Sequence, residues 1–346
     1  MPTLALAGGT SASLGRAIVS GVLFSPSTKL WNVVIFSRSL KVPAWLRAID
    51  PQSERTTIKV VDYLKVDSIV PSLKGVDTLI SVTSAMDGTQ AQIQINLLNA
   101  AVAAGCRRFA PTQWEMGLKG YETGLIKSTF EGVWEACIKN QERIELARFN
   151  CGMFMNYIGH GLYSERPSLD DEQALKSGHG YADGADAAIQ GLSAQGDLKD
   201  GSGGFMISLK NAIAELPTKA DGSWPTFSTT SLRDVGYFVA AALELSEWQH
   251  DMSMSGDKLT IGDLLKYAEE ATGKTFDVER LSPADLELQM SKTDPDDFMG
   301  QLWLELKYMF TKDEEDLCIL KPVLNGLCPD VKPISVKEYI HKFYQR

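Results

Sequence analysis

A short glycine-rich stretch near the start of the chain has the residue types and spacing best suited to binding chemistry. Residues 4–18 read LALAGGTSASLGRAI, an apolar run followed by small residues and then by an amphipathic pattern. A buried strand that leads into a helix in this way presents backbone N–H groups to an anion, and the helix dipole favours negative charge there. Gly8 allows a tight bend and Gly15 allows close packing of helix on strand, as in a dinucleotide pyrophosphate site.

The amino-acid sequence of this turn departs from the usual glycine pattern. Ser11 stands where the middle glycine is expected, and the turn is one residue longer than G-x-G-x-x-G. Turns of this kind also occur without any ligand, so the next strand decides the interpretation.

The second apolar run ends in basic residues. Residues 31–38 read WNVVIFSR, typical of a strand buried on both faces, and Lys41 follows shortly after Arg38. In a βαβ dinucleotide fold the tip of this strand meets the adenosine ribose, where an acidic residue selects NAD and a cation suits a 2′-phosphate. We therefore predict NADP(H), against the alternative that Arg38 and Lys41 are ordinary solvated charges.

Charge and composition exclude several classes of protein. The chain has 346 residues and a formal net charge of −10, which argues against nucleic acid or an anionic membrane as a partner. No apolar run approaches the roughly 20 residues that span a bilayer. We find no signal peptide pattern and no N-x-S/T sequon, so we expect a cytoplasmic protein.

The cysteines and histidines indicate neither disulfides nor a metal site. The five cysteines form no C-x-x-C pair, and their odd number argues against a disulfide framework, so we expect reduced thiols in the core. The four histidines show no ligand spacing. We predict no metal.

The first half of the chain alternates strand and helix patterns, which predicts a doubly wound parallel Rossmann sheet in an α/β domain spanning residues 1–156. Strands are predicted at 3–7, 31–37, 57–62, 77–83, 107–111 and 143–149, and helices at 14–23, 66–73, 89–104 and 128–139.

The second half predicts a smaller C-terminal α/β substrate domain at 157–346, with 228–247 packing back on the first domain. Residues 165–204 are rich in Gly, Ala, Asp and Ser and are interpreted as a lid or insertion. Regular patterns resume at 205–209, and helices are predicted at 231–245, 260–272, 281–292, 297–312 and 335–345.

Several segments in order resemble one family. They include AGGTSASLGRAI at 7–18, VIFSRS at 34–39, AGCRRFAPTQWEMG at 104–117, KSTFEGVWEAC at 127–137 and RDVGYFVAAALEL at 233–245. The chain resembles the NmrA-like, isoflavone-reductase-like proteins, which are atypical short-chain dehydrogenases, and within them the fungal-type members.

The resemblance implies an NADP(H)-binding Rossmann domain and a second domain that closes over a substrate cleft. The cofactor residues it implies are Gly8, Thr10, Ser11, Ser13, Leu14, Gly15, Ser37, Arg38, Lys41, Val82, Thr83, Gln113, Asn150, Cys151 and Phe154. The implied substrate pocket is formed by Trp114, Met153, Phe154 and Tyr157, whose aromatic rings suit a flat hydrophobic substrate. The alternative is that these aromatic residues are plain core.

The chain departs from this family at its acid–base residue. Plant reductases of the family carry a lysine for proton transfer at the position that Val133 occupies here when the segments are aligned on Phe130. Lys127 lies six residues earlier, and a solvated or capping role suits it better. Tyr121, Lys127 and Tyr157 are the candidate catalytic residues.

Three functions remain open. The first is an NADP(H)-dependent reductase of a hydrophobic aromatic or polycyclic natural product, with the proton supplied from elsewhere. The second is a biosynthetic enzyme that steers a cyclisation or rearrangement with the cofactor bound. The third is a non-catalytic NADP redox sensor. For each we expect a monomer or homodimer.

Overall fold

The computed structural model describes residues 1–114, 116–159 and 196–344. Its central sheet consists of six parallel strands: β1 (Thr3–Ala7), β2 (Asn32–Ser37), β3 (Thr56–Val60), β4 (Thr78–Ser81), β5 (Arg108–Ala110) and β6 (Glu145–Leu146). Their order is β3-β2-β1-β4-β5-β6, so the winding direction reverses between β1 and β4. The doubly wound sheet is confirmed, and its crevice lies at this switch point beyond the carboxyl ends of the strands.

Helices cover both faces of this sheet: α1 (Leu14–Phe24), α2 (Ala44–Ile49), α3 (Val66–Ile69), α4 (Gln90–Ala104), α5 (Gly124–Thr129) and α6 (Val133–Ile138), with 3₁₀ turns at Val70–Leu73 and Leu118–Glu122. Side chains of β1 alternate between the faces, with Leu4 and Leu6 packing on one side and Ala5 and Ala7 on the other. The predicted end of α4 is confirmed, because Gly105 caps it in the left-handed conformation at φ +74°.

Two predicted elements of this half are wrong in extent. The helix predicted at 128–139 is two short helices, α5 and α6, because Gly132 adopts φ +74° between them. The strand predicted at 143–149 pairs with β5 over only two residues. Beyond it the backbone changes partner, and Arg148 and Asn150 exchange hydrogen bonds with residues 250–254.

The second half forms two small sheets and seven further helices among the described residues. The elements are β7 (Met153–Phe154), α7 (Asn156–Gly159), β8 (Ile207–Ser208), β9 (Ile213–Pro217), β10 (Thr226–Thr230), α8 (Leu232–Leu243), β11 (Asp257–Thr260), α9 (Ile261–Thr272), β12 (Asp277–Leu281), α10 (Pro283–Lys292), α11 (Phe298–Thr311), α12 (Val323–Leu327) and α13 (Val336–Phe343). The sheet orders are β11-β10-β7 and β12-β9-β8. The helix predicted at 281–292 is correct only from Pro283 onward, because Leu281 ends β12 and Ser282 caps α10.

Helix α8 returns to the first half and crosses α1 at backbone contact. A Cβ atom built on Gly21 would lie 2.2 Å from the Gly236 oxygen, and one on Gly236 would lie 2.1 Å from the Ala17 oxygen. Glycine at both positions therefore sets the separation of the two helices.

The predicted lid at 165–204 lies outside the described residues except for 196–204. Among the residues that the structure does describe, no helix combines the length and apolar character needed to cross a bilayer.

Candidate functional site

The glycine-rich turn follows β1 and opens α1, as the sequence predicts. Gly8 has φ +78°, and a Cβ atom there would lie 3.0 Å from both the Thr83 nitrogen and the Val82 oxygen. Glycine is thus required at this position both by backbone conformation and by the neighbouring strand end.

Ser11 closes this turn on itself. Its Oγ accepts a hydrogen bond of 2.9 Å from the Gly15 N–H. A Cβ atom on Gly15 would lie 2.7 Å from the Gly9 oxygen and from Ser11 Oγ. The prediction that Gly15 permits close packing of helix on strand is therefore wrong in its reason, because the closest approach is to the turn.

A groove of about 890 Å³ runs along the carboxyl ends of β1 to β4. It is lined by the turn, by the tip of β2 and by residues that follow β3 and β4, namely Gly8, Thr10, Ser11, Ser37, Arg38, Ser39, Val60, Val61, Asp62, Tyr63, Leu64, Ser68, Val82, Thr83, Ser84, Ala85, Asp87, Thr89 and Ile93. Arg38 is exposed in this groove, whereas Lys41 does not line it. Of the two predicted cations, the structure brings only Arg38 to the site.

Sequence reasoning missed Tyr63, which braces the turn from β3. Its hydroxyl accepts the Gly8 N–H at 3.0 Å and donates to the Phe36 oxygen at 2.8 Å. Burial raises the pKa of this hydroxyl to about 12, so it stays protonated at neutral pH. Tyr63 directly follows the third predicted strand, and this position at the carboxyl end of a parallel strand could have identified it as a residue of the site.

Acidic residues also face this groove. Hydrogen bonds from Thr89 lower the pKa of Asp87, and the charge of Arg38 lowers it further. Asp62, two residues after β3, has its pKa lowered by Lys65 and by the Leu64 N–H. Both carboxylates are therefore ionised at neutral pH.

A first cavity of about 180 Å³ opens from the groove, because Val82, Thr83, Ser84 and Ala85 line both. Its other lining residues come from α1, α4, α5, α11, β7, the 3₁₀ turn at Leu118–Glu122 and the loops after β4, β5 and α5, namely Leu14, Met86, Gln90, Thr112, Trp114, Tyr121, Ile126, Thr129, Phe130, Phe154, Phe298 and Leu302. Gln94 links the loops after β4 and β5 beside this cavity. Its side-chain amide donates to Thr83 Oγ1 at 2.8 Å and accepts from the Thr112 N–H at 3.0 Å.

A second cavity of about 190 Å³ continues from the first, and the two share Ser84, Met86, Phe154 and Leu302. Helix α11 contributes Met299, Trp303, Leu306 and Phe310, and the remaining lining is Met116, Gly152, Met153, Tyr157 and Phe205. Among the residues that the structure describes, none that lines either cavity is charged.

Helix α11 is attached to α5 beside the first cavity. The Glu305 carboxylate accepts the Leu125 N–H at 2.9 Å, and burial raises the pKa of Glu305. This contact joins two walls of the cavity that lie far apart in sequence.

The predicted substrate residues lie at the cavities, with different degrees of access. Phe154 lines both cavities, and Met153 and Tyr157 line the second. Tyr157 packs edge-on against Trp303 with ring centroids 5.3 Å apart. Trp114 lines the first cavity but is also core, since it stacks on Phe149 at 5.4 Å.

The three candidate catalytic residues differ in their access to the cavities, and Tyr157 lines the second cavity. Tyr121 lines the first cavity, and its hydroxyl donates to Asn150 Oδ1 at 3.2 Å. Lys127 is exposed on α5 and lines neither cavity. Val133 is buried at the start of α6 and also lies outside both cavity linings.

Several predicted cofactor residues lie away from the groove and the cavities. Gln113, Asn150 and Cys151 are buried, and the Cys151 thiol donates to the Trp114 oxygen. Ser13 precedes α1 without capping it through its side chain. These residues support the site from beneath or beside it.

In the described part of the chain there is no group of three or more His, Cys, Asp or Glu residues that could hold a metal ion. The five cysteines are free and buried.

No protein-family model matches this chain. Quinone oxidoreductase 2 of Escherichia coli (strain K12) is 23% identical over 252 residues, which cover 68% of this chain and 79% of that protein.

Solved structures match over nearly the whole length. The structure of AtPrR2 with NADP⁺ and (+)pinoresinol has a TM-score of 0.67 at 17% identity, covering 99% of this chain and 98% of that chain. The binary complex of leucoanthocyanidin reductase and NADPH from Vitis vinifera has a TM-score of 0.67 at 13% identity, covering 99% of both chains. These likenesses confirm the Rossmann-like α/β fold.

Proposed function

We propose that this protein is an NADP(H)-dependent oxidoreductase of the isoflavone-reductase-like type that reduces an uncharged aromatic or polycyclic compound. One observation carries the proposal. The four residues Val82, Thr83, Ser84 and Ala85 line both the groove and the first cavity, so a ligand in one would adjoin a ligand in the other.

The groove fits a phosphorylated dinucleotide. Gly8 leaves room where a Cβ atom would crowd Thr83, and the hydroxyls of Thr10 and Ser11 suit a pyrophosphate at the start of α1. At the other end Ser37, Arg38 and Ser39 suit a 2′-phosphate. When bound, NADPH supplies a hydride. The related proteins that are solved with NADP⁺ or NADPH support this assignment.

The cavities suit a neutral, apolar substrate. Burying a charge without a partner is costly, and none of the described side chains that line either cavity offers an opposite charge. The rings of Phe154, Trp303 and Phe205 offer flat apolar contact, and the methionine side chains adapt to irregular shapes. (+)Pinoresinol bound to AtPrR2 supports an aromatic substrate.

The residue that matches the lysine of plant reductases does not move a proton here. Val133 is buried, apolar and outside both cavities, so the proton must come from another group. A redox-neutral cyclisation or a sensing role would use the same groove, but nothing in the described residues favours either.

NADPH binding and oxidation test the proposal. We expect purified protein to bind NADPH more tightly than NADH, and to oxidise NADPH with 1,4-naphthoquinone faster than with 1,4-naphthoquinone-2-sulfonate. The two quinones differ by one charge, so the pair isolates the neutral lining. Failure to bind NADPH would refute the cofactor assignment, and equal rates for the two quinones would refute the substrate class.

A further inference from the structure

A proton donor is needed wherever hydride addition leaves an anion. Reduction of a conjugated ketone consumes one hydride and one proton, and Val133 supplies no proton. Among the described residues that line the first cavity, Tyr121 alone has a titratable side chain. A tyrosine hydroxyl that reaches the substrate can act as a general acid and protonate a developing enolate.

We propose that Tyr121 is the catalytic proton donor and that Asn150 is its positioning residue; this inference rests on the proposed function. The Tyr121 hydroxyl donates to Asn150 Oδ1 at 3.2 Å. Its ring packs edge-on against Phe130 with centroids 5.7 Å apart. Asn150 is fully buried, and its backbone oxygen accepts the Met254 N–H at 2.8 Å, which fixes the residue beneath the cavity.

An α,β-unsaturated ketone would take up one hydride and one proton in this site. Hydride adds to the β-carbon, the C=C electron pair moves to form the enolate double bond, and the carbonyl π pair moves to oxygen. That oxygen takes the Tyr121 proton, giving an enol that becomes the ketone in water. NADPH becomes NADP⁺, and water reprotonates the tyrosinate.

The surroundings of Tyr121 suit the tyrosinate that this step leaves. Asn150 Nδ2 is buried and has no hydrogen-bond partner among the described residues. A half-turn of the amide would bring this N–H group to the phenolate oxygen, in place of the Oδ1 that accepts from the phenol. Arg148, two residues earlier, lies close enough for its charge to interact with Tyr121.

Two hydride acceptors separate proton donation from other roles. A chalcone needs hydride and a proton, whereas uncharged tetrachloro-1,4-benzoquinone needs hydride alone, because its hydroquinone anion is stable at neutral pH. We expect Tyr121→Phe to lower kcat for the chalcone by about a hundredfold or more and to change the rate with this quinone by less than threefold. Asn150→Asp should show the same selective loss, because a carboxylate opposes the tyrosinate. Tyr267→Phe on α9, outside both cavities, is the matched control.

A spectroscopic measurement tests the same contact without turnover. The carbonyl stretch of bound ¹³C-labelled benzophenone should move to higher frequency in Tyr121→Phe and stay unchanged in Tyr267→Phe. Equal losses with both acceptors, or an unchanged carbonyl stretch, would overturn the role of Tyr121. A selective loss in Tyr157→Phe or Lys127→Met instead would move the donor to that residue. A wild-type protein that binds NADPH but reduces neither acceptor would overturn the proposed reductase, and the proton donor with it.

Discussion

Arg38 should determine the choice between NADPH and NADH. It is exposed at the tip of β2 and lines the groove between the hydroxyl-bearing residues Ser37 and Ser39. Removing its side chain in Arg38→Ala takes away the groove's basic residue at the strand tip while leaving the backbone of the turn intact. The variant should therefore bind a ligand that carries a 2′-phosphate less tightly, and its affinity for a ligand without this group should not change.

The size of this effect follows from the environment of Arg38. A hydrogen bond to a charged group contributes about 1.5–3 kcal/mol, and each 1.4 kcal/mol is tenfold in affinity. Exposure and salt screening place Arg38 at the lower end of that range. The ionised Asp87 in the same groove opposes a phosphate and offsets part of the attraction. We therefore expect the Kd for NADPH to rise roughly tenfold to thirtyfold.

Fluorescence titration of NADPH and NADH measures both constants in the same protein. In Arg38→Ala the Kd for NADH should change by less than twofold, and added salt should shrink the difference between variant and wild type. Lys41→Ala is the comparison, because this cation is nearby in sequence but outside the groove lining. An equal rise of the Kd for NADPH and for NADH in Arg38→Ala would refute the prediction that Arg38 binds the 2′-phosphate. A larger rise of the Kd for NADPH in Lys41→Ala than in Arg38→Ala would show that the cofactor site extends beyond the residues that line the groove.

Three further changes test the scaffold around the site. Gly236→Ala should lower the free energy of unfolding by about 1–3 kcal/mol, because its Cβ atom would overlap the backbone of α1, whereas Gly326→Ala in α12 has open space and should not lower the melting temperature. Burial raises the pKa of Glu305 above its ordinary value of 4.5, so the ionised form is disfavoured in the folded protein. Relative to Glu305→Gln, the wild type should lose free energy of unfolding in urea as pH rises from about 4.5 through the raised pKa; a constant difference across that window would contradict this. Tyr63→Phe removes the hydroxyl that accepts the Gly8 N–H, so we expect about 1 kcal/mol less stability and weaker NADPH binding by titration. Unchanged affinity would show that Tyr63 braces the fold but not the ligand.

Local patterns in the sequence predict most of the first half. The alternation of apolar runs places β1 and β2 side by side, and strand ends in a parallel sheet meet at one edge, so Gly8, Ser11 and Arg38 reach the same groove as predicted. The break at Gly132 was not foreseen, since the apolar spacing continues through it and only its left-handed backbone separates the helices.

Contacts between distant segments account for most of what sequence reasoning missed. The first cavity is completed by Phe298 and Leu302 of α11, which are far along the chain from the turn. No periodicity within α11 identifies its partner. That partner is set by the packing of α11 on α5 and by the Glu305 carboxylate that bonds to α5.

The serine at position 11 changes where the proposed cofactor would gain its binding energy. In a glycine-only turn, the first N–H groups of the helix remain available to a phosphate. Here Ser11 Oγ accepts the Gly15 N–H, and the Ser11 oxygen accepts the Arg16 N–H at 2.9 Å. Two donors of the first turn of α1 are therefore already used within the protein. The hydroxyls of Thr10 and Ser11 and the cation of Arg38 must supply more of the phosphate recognition, which is why a single exposed arginine is expected to have a tenfold effect.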